Sequence, residues 1–169
     1  MQLRVKGIFW DLDETLLDTS PIKRFRDNRD WKSCKINFHK VKEYPNLLKI
    51  FHMLNLKYKT AIISSSPKWY VNELTKLFNI NSDIFLGFGD TKRHKPKPEP
   101  FLKAMEILNL DPSECLAIGD SIKDFEASLN AKINFIGVSW GESKKQDFLD
   151  MGCKVIIKRP NEIFNYINI

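Results

Sequence analysis

Two aspartates follow a short apolar run near the start of the chain. Asp11 and Asp13 come directly after residues 7–10 and stand two positions apart. In an extended segment, residues two apart project to the same side, so the two carboxylates can lie together. In a partly buried cleft such a pair needs a cation or a shared proton, and Mg²⁺ suits it because this ion takes oxygen ligands and binds phosphate oxygens. The alternative is that Asp13 only caps the turn that follows it.

A second acidic stretch, GDSIKD, begins at Gly119 and also follows an apolar run. Asp120 lies where a strand would end, and Gly119 before it allows close approach of the backbone, so Asp120 is a candidate metal ligand. Asp124 stands one helical turn later. The spacing from Ser121 to Asp124 is that of a capping box, so Asp124 is either a structural cap or a residue that binds or positions a metal.

Three serines follow a third apolar run. Ser64 is the first polar residue after it, where hydroxyl and backbone N–H groups at the start of a helix can hold a phosphate. We take Ser64 and Ser65 as candidate phosphate-binding residues. The alternative is a helix N-cap, which Ser65 or Ser66 could supply.

A lysine in a proline-rich loop is the fourth candidate. Lys95 and Lys97 stand in the stretch RHKPKPEP, whose prolines lower the entropic cost of holding a side chain in one direction. Such a lysine can act as a fixed cation beside a phosphate. On physical grounds either lysine fits this role.

These candidates are positioned by alternating strand and helix patterns. The strand-like runs are continuous rather than alternating, as in a parallel sheet buried on both faces, and they cover residues 7–10, 60–63, 84–88, 115–118, 135–138 and, more weakly, 155–157. Apolar residues at helical spacing lie between them. The pattern predicts an α/β fold with right-handed βαβ units, in which ligands bind beyond the carboxyl ends of the strands.

Length and composition indicate one domain over residues 1–169. The sequence contains no apolar stretch near the roughly 20 residues of a membrane helix, and no signal peptide, so no membrane partner is expected. The three cysteines are scattered, which argues against a disulfide framework and predicts a reducing, cytoplasmic location.

The net charge of +6 is concentrated in residues 21–44, which have eight basic and three acidic residues and fit no βα unit. Phe25, Trp31 and Phe38 lie among the bases, so we expect an ordered insert that forms a short flap beside the site. The basic excess indicates an anionic partner or substrate, whereas its plainer interpretation is a solvated face.

In order and spacing, DLDET from Asp11, Ser64, KPKP from Lys95 and GDSIKD from Gly119 resemble the four motifs of the haloacid dehalogenase-like (HAD) superfamily. The resemblance covers residues 7–140. It implies a Rossmann-like three-layer α/β/α sandwich with a mainly parallel sheet of five or six strands. It also implies a Mg²⁺-dependent phosphatase that hydrolyses a phosphate monoester through a phosphoaspartate, with residues 21–44 in place of a full cap domain.

The resemblance also assigns roles to the candidates. Asp11 is implied to be the nucleophile and Asp13 the general acid/base, while the motif pattern selects Lys95 over Lys97. The implied phosphate-binding residues are Ser64, Ser65 and Lys95, and the implied metal site comprises Asp11, Asp13, Asp120 and Asp124. Two positions depart from the family pattern, because Glu14 replaces a frequent glycine and Ser64 a commoner threonine.

Two other functions are compatible with the same residues. One is a catalytically silent phosphate-binding or regulatory module, against which the second acid, Asp13, argues. The other is an end-phosphatase that binds nucleic acid through the insert, where bases could stack on the aromatic residues. A small satellite core explains those aromatic residues more simply, so nucleic acid is possible but not favoured.

Overall fold

A computed structural model describes residues 4–167. The central sheet has six strands in the order β5-β4-β1-β6-β7-β8, and every neighbouring pair is parallel. A separate two-stranded ribbon pairs β2 with β3 in antiparallel fashion. The strands are β1 (Gly7–Trp10), β2 (Leu17–Asp18), β3 (Lys42–Glu43), β4 (Lys59–Pro67), β5 (Ile84–Phe88), β6 (Cys115–Gly119), β7 (Asn134–Val138) and β8 (Ile156–Ile157).

Helices cover both faces of the sheet. They are α1 (Lys23–Asp27), α2 (Trp31–Ile36), α3 (Leu47–Asn55), α4 (Lys68–Leu77), α5 (Glu99–Leu108), α6 (Ile122–Asn130) and α7 (Lys145–Asp150). Short 3₁₀ turns complete the connections.

The two faces of β1 face separate cores. Ile8 and Trp10 belong to one buried cluster, which also contains apolar residues of α3 and α4. Phe9, between them, belongs to another, which contains residues of α5. Alternate side chains of a strand point to opposite faces of a sheet, so the molecule is the three-layer α/β/α sandwich expected from the sequence.

All six strand-like runs of the sequence are strands of the sheet, and the weakest, 155–157, is its edge strand β8. Strand β4 is longer than predicted, because it continues through the serines to Pro67 with a register shift after Ile63. The ribbon and helix α7 were not predicted. Each strand of the ribbon has two residues and includes a charged one, and α7 has only six residues, so neither shows a clear apolar pattern.

Residues 21–44 are ordered, as expected, and form a compact helical insert. The β2–β3 ribbon joins its two ends, and α1 and α2 lie between them. Its buried residues Ile22, Cys34, Phe38 and Val41 belong to the same core cluster as β1 and α4. The ring of Phe38 packs edge-on against Tyr70 of α4, with centroids 5.3 Å apart. The insert therefore shares the core of the main fold instead of forming a separate one.

Within residues 4–167, no helix has the length and apolar character required to cross a lipid bilayer. The three cysteines, Cys34, Cys115 and Cys153, are buried and unpaired, as expected from their spacing.

Candidate active site

The candidate residues meet at the carboxyl edge of the sheet. Asp11 follows β1, Ser64 lies in the last part of β4, and Asp120 follows β6. The loop between β5 and α5 brings in Lys95. A cleft of about 590 Å³ opens above them, and its lining includes Asp11, Asp13, Ser65, Lys95, Asp120 and Asp124.

Lys95 occupies the floor of this cleft. Its ammonium group donates to Asp11 Oδ1 at 2.7 Å, to Asp124 Oδ1 at 2.5 Å and to the carbonyl oxygen of Ile63 at 2.9 Å. Burial alone would lower the pKa of Lys95, but the two carboxylates outweigh it and raise the pKa above its ordinary value. Lys97 is exposed and does not line the cleft. The geometry thus separates two lysines that side-chain chemistry alone left equivalent.

Three carboxylates form a buried acidic group. Oxygen atoms of Asp11, Asp120 and Asp124 lie within 4.8 Å of one another. Burial raises the pKa of Asp11 well above its ordinary value and that of Asp120 to about 7, where the neighbouring Asp124 adds to the effect. Lys95 supplies one positive charge for the three acids. A hard divalent cation that takes oxygen ligands therefore fits this group.

Asp120 is held in place by two donors. Thr15 Oγ1 donates to its Oδ1 at 2.8 Å, and the backbone N–H of Glu142 donates to its Oδ2 at 2.6 Å. These bonds restrain the carboxylate beside the oxygens of Asp11 and Asp124, as the outer partners of a metal ligand do.

Asp124 combines two roles that the sequence left as alternatives. It forms a capping box with Ser121 at the start of α6, in which its Oδ2 accepts from the Ser121 backbone N–H at 3.1 Å and from the hydroxyl at 2.6 Å. Its other oxygen accepts from Lys95. Through its bond to Lys95 and its place in the cap of α6, Asp124 is placed to support the site and to position Lys95.

Asp13 faces away from the acidic group, towards the insert and α4. Its Oδ1 accepts from Tyr70 at 2.6 Å and lies 2.5 Å from Arg26 Nη1, and its Oδ2 accepts from Ser66 at 2.8 Å and from Ser64 at 3.1 Å. Burial acts to raise the pKa of Asp13, but Arg26 and the hydroxyl donors lower it overall. The side chain of Asp13 is not one of the three acids of the group, so its role as a metal ligand stays a prediction.

Arg26 and Tyr70 were missed by the sequence analysis. Arg26 of α1 also lies 3.1 Å from Glu14 Oε2 and donates to Thr19 Oγ1 at 2.7 Å. Glu14 adopts a left-handed φ of 61°, which explains why glycine suits this position in the family that the motif resembles. The only sequence signal for Arg26 was its membership of the basic run, and nothing in the local pattern marks Tyr70.

Ser64 and Ser65 lie in different environments. Ser64 is buried, donates to Asp13 and accepts from the backbone N–H of Ser66 at 3.0 Å. Ser65 is exposed and lines the cleft. Neither Ser65 nor Ser66 caps α4, because Pro67 occupies the N-cap position. The hydroxyl of Ser65 is thus open to a ligand in the cleft, while that of Ser64 is engaged with Asp13.

Comparisons with known proteins agree with the motifs. The sequence model of the haloacid dehalogenase-like hydrolase family matches residues 23–138. A phosphoglycolate phosphatase from Psychrobacter arcticus is 33% identical over 78% of this chain and 55% of its own length. A pyrophosphatase from Bacillus mycoides is 31% identical over 59% of this chain and 48% of its own length. The chain thus spans about half the length of these curated relatives.

Solved structures share the fold at low sequence identity. A haloacid dehalogenase-like hydrolase from Streptococcus pneumoniae is 18% identical and superposes with a TM-score of 0.83 over 96% of this chain and 98% of that one. A HAD-superfamily hydrolase from Ehrlichia chaffeensis is 20% identical, with a TM-score of 0.72 over 98% and 97% of the two chains.

Proposed function

Because the chain belongs to the haloacid dehalogenase-like hydrolase family, we propose that it is a Mg²⁺-dependent phosphatase that hydrolyses a phosphate monoester through a phosphoaspartate on Asp11. The observation that carries this proposal is the environment of Asp11. One of its oxygens is held by Lys95, and among residues 4–167 no donor is found for the other oxygen. The carboxylate lines the cleft.

In the first half of the reaction, Asp11 Oδ2 forms a bond to phosphorus while the bond from phosphorus to the leaving oxygen breaks. The positive charge of Lys95 offsets the repulsion between this carboxylate and the anionic phosphate. Ser65 donates to a phosphoryl oxygen from the open side of the cleft. In the second half, water attacks phosphorus, and Asp11 is released together with inorganic phosphate.

Asp13 transfers the protons. It is arranged to stay ionised in the free protein, because Arg26, Tyr70, Ser64 and Ser66 surround it with donors. An ionised carboxylate can take the proton of the attacking water in the second half-reaction. In the first half-reaction Asp13 passes to the leaving oxygen a proton that enters with the substrate as a monoanionic phosphate ester. The proton taken from water in the second half-reaction returns to solvent as the product leaves, so one residue serves as acid and base in alternation.

The acidic group would hold the magnesium ion. Asp11 and Asp120 would be its side-chain ligands, and Asp124 would support them through Lys95 and the cap of α6. Bound there, the ion would supply positive charge beside the transferred phosphoryl group.

A phosphate-release assay tests the proposal. The panel includes phosphoglycolate and pyrophosphate, after the names of the relatives, together with sugar phosphates, nucleotides and oligonucleotides with end phosphates. We expect turnover that requires Mg²⁺ and is lost in the Asp11→Asn variant. Phosphate binding without turnover on the whole panel would instead identify the protein as the silent phosphate-binding module.

Magnesium binding is expected to tighten as the pH rises through about 7. Burial and the neighbouring Asp124 raise the pKa of Asp120 to about 7, so in the metal-free protein this group holds a proton that the metal must displace. Isothermal titration in buffers of different ionisation enthalpy should detect about one released proton below that pH and less above it.

The carboxyl group of Asp120 is also expected to make the stability of the metal-free protein fall as the pH rises. The folded-state pKa of Asp120 lies above the ordinary value of 3.8, so between 3.8 and about 7 the folded protein binds more protons than the unfolded chain. Added Mg²⁺ should restore the lost stability. The Asp120→Asn variant serves as the control. It should bind Mg²⁺ more weakly than the wild type, with an affinity that depends little on pH. If the affinity of the wild type for Mg²⁺ does not vary with pH, the assignment of Asp120 as a metal ligand is contradicted.

The basic insert is expected to speed the capture of anionic substrates. Arg24, Arg29 and Lys32 are exposed, and Arg29 lines the cleft. Replacing all three by glutamate should lower kcat/KM several-fold for a highly charged substrate and change kcat little. The loss should shrink with added salt, because the Debye length is roughly 10 Å at 0.1 M.

The matched control replaces three exposed lysines outside the cleft lining by glutamate. They are Lys49, Lys132 and Lys154. It has the same change in net charge and should keep most of the activity. If both triple variants lose the same amount, the insert is only a solvated face. Preference of the wild type for oligonucleotide ends, lost with the insert charges, would favour the nucleic-acid alternative.

A further inference from the structure

One aromatic side chain on the wall of the cleft is more exposed than its chemistry favours. Phe88, the last residue of β5, is 52% exposed and lines the cleft. Among the exposed large hydrophobic residues of the described chain, 4–167, it is the one that does so. Single exposed hydrophobic residues are common on protein surfaces, but one inside a concave site is a candidate ligand contact.

The ring of Phe88 packs against one neighbouring ring. It stacks on His94 with centroids 4.1 Å apart and an interplanar angle of 29°. His94 directly precedes Lys95, which contacts the nucleophile Asp11. In the sheet, Phe88 is paired with Pro67 of β4, which also lines the cleft. The ring therefore packs against the loop that carries Lys95, the lysine proposed to bind the phosphoryl group.

A second aromatic residue, Trp31 of the insert, lines the same cleft. It packs edge-on against Tyr70 with centroids 5.8 Å apart, and Tyr70 in turn donates to Asp13. The cleft thus has a charged floor of carboxylates and lysine and aromatic groups on its walls. Its volume of about 590 Å³ is in the range of sites for organic ligands, and far larger than a phosphate group requires.

We propose that the substrate is a phosphate monoester whose alcohol carries a planar aromatic ring, and that this ring stacks on Phe88 while the phosphate is bound at Asp11. The inference rests on the proposed phosphatase function. Stacking on an aromatic side chain requires a flat π-face and tolerates different ring types, so aryl alcohols and nucleosides share the required chemistry. Phe88 is then a specificity-determining residue.

Two pairs of substrates test the proposal. Benzyl phosphate and cyclohexylmethyl phosphate have similar leaving groups and differ in the flatness of the ring. We expect the wild type to prefer benzyl phosphate by about tenfold in kcat/KM, as expected for a single stacked ring. Adenosine 5′-monophosphate and ribose 5-phosphate form the second pair, in which a preference for the nucleotide identifies a nucleoside rather than a simple aryl alcohol as the source of the ring.

Variants at position 88 assign the preference to the ring. Phe88→Leu should reduce the benzyl preference to near unity, whereas Phe88→Tyr should retain it. Leu129→Ala is the control, because Leu129 is 62% exposed on α6 and does not line the cleft. Thermal unfolding of each variant confirms that it is folded.

Equal rates on benzyl and cyclohexylmethyl phosphate, or a preference that survives in Phe88→Leu, would overturn the inference and leave the phosphatase function standing. Failure of the function itself is distinct, because the wild type would then release no more phosphate from any ester than Asp11→Asn.

Discussion

Replacing Asp11 with asparagine is expected to lower phosphate release by at least about 10³-fold, since losing the nucleophile of a covalent mechanism costs this much or more. The fold should persist, because asparagine has nearly the same shape and relieves the crowding of three carboxyl groups in the buried acidic group. Its amide cannot form the bond to phosphorus that the proposed mechanism requires. Steady-state assays with the best substrate of the panel, together with thermal unfolding, measure both effects.

A direct observation of the intermediate complements the kinetics. Acid quenching during turnover should trap phosphate on a peptide that contains Asp11, and the trapped phosphate should be absent from Asp11→Asn. Asp27→Asn is the matched control, because Asp27 also lines the cleft but is exposed and contacts Lys23 instead of the acidic group. Turnover by Asp11→Asn near the wild-type rate would refute the mechanism.

The positions of the central residues could be predicted because parallel strands bring their carboxyl ends to one edge. Asp11, Ser64 and Asp120 each follow a continuous apolar run, and those runs are neighbouring strands β1, β4 and β6. Their meeting point follows from the strand assignment and needs no knowledge of side-chain contacts. The capping box at Asp124 could also be predicted, because its spacing is local.

The surroundings of Asp13 could not be predicted in this way. Its donors are Ser64, Ser66, Tyr70 of α4 and Arg26 of the insert, which are far apart in sequence. Only the packing of the insert against α4 determines that they converge. The sequence grouped Arg26 with the solvated bases of residues 21–44, whereas its side chain is 10% exposed. Charge counting does not distinguish a buried arginine from an exposed one.

Loss of Arg26 is expected to destabilise the protein strongly. Arg26 contacts Asp13 and Glu14, and these three side chains are 10%, 12% and 9% exposed. Removing one partner of a buried ion pair leaves an uncompensated charge and costs about 3–5 kcal/mol. For Arg26→Ala we expect the lower end of this range, because Tyr70 and Ser66 continue to donate to Asp13. Urea unfolding near neutral pH measures the difference.

The pH dependence and a double-mutant cycle identify the Arg26–Asp13 pair as the cause. The folded-state pKa of Asp13 is lowered from 3.8, so its stabilisation is present above that pH and is lost as the pH falls through the lower folded-state value. The deficit of Arg26→Ala relative to the wild type should therefore shrink in acid. In an Asp13→Asn background, Arg26→Ala should cost much less than in the wild type, whereas Arg24→Ala, an exposed neighbour on α1, should cost little in either background. A deficit unchanged by acid and by Asp13→Asn would assign the role of Arg26 to packing of the insert instead of to the ion pair.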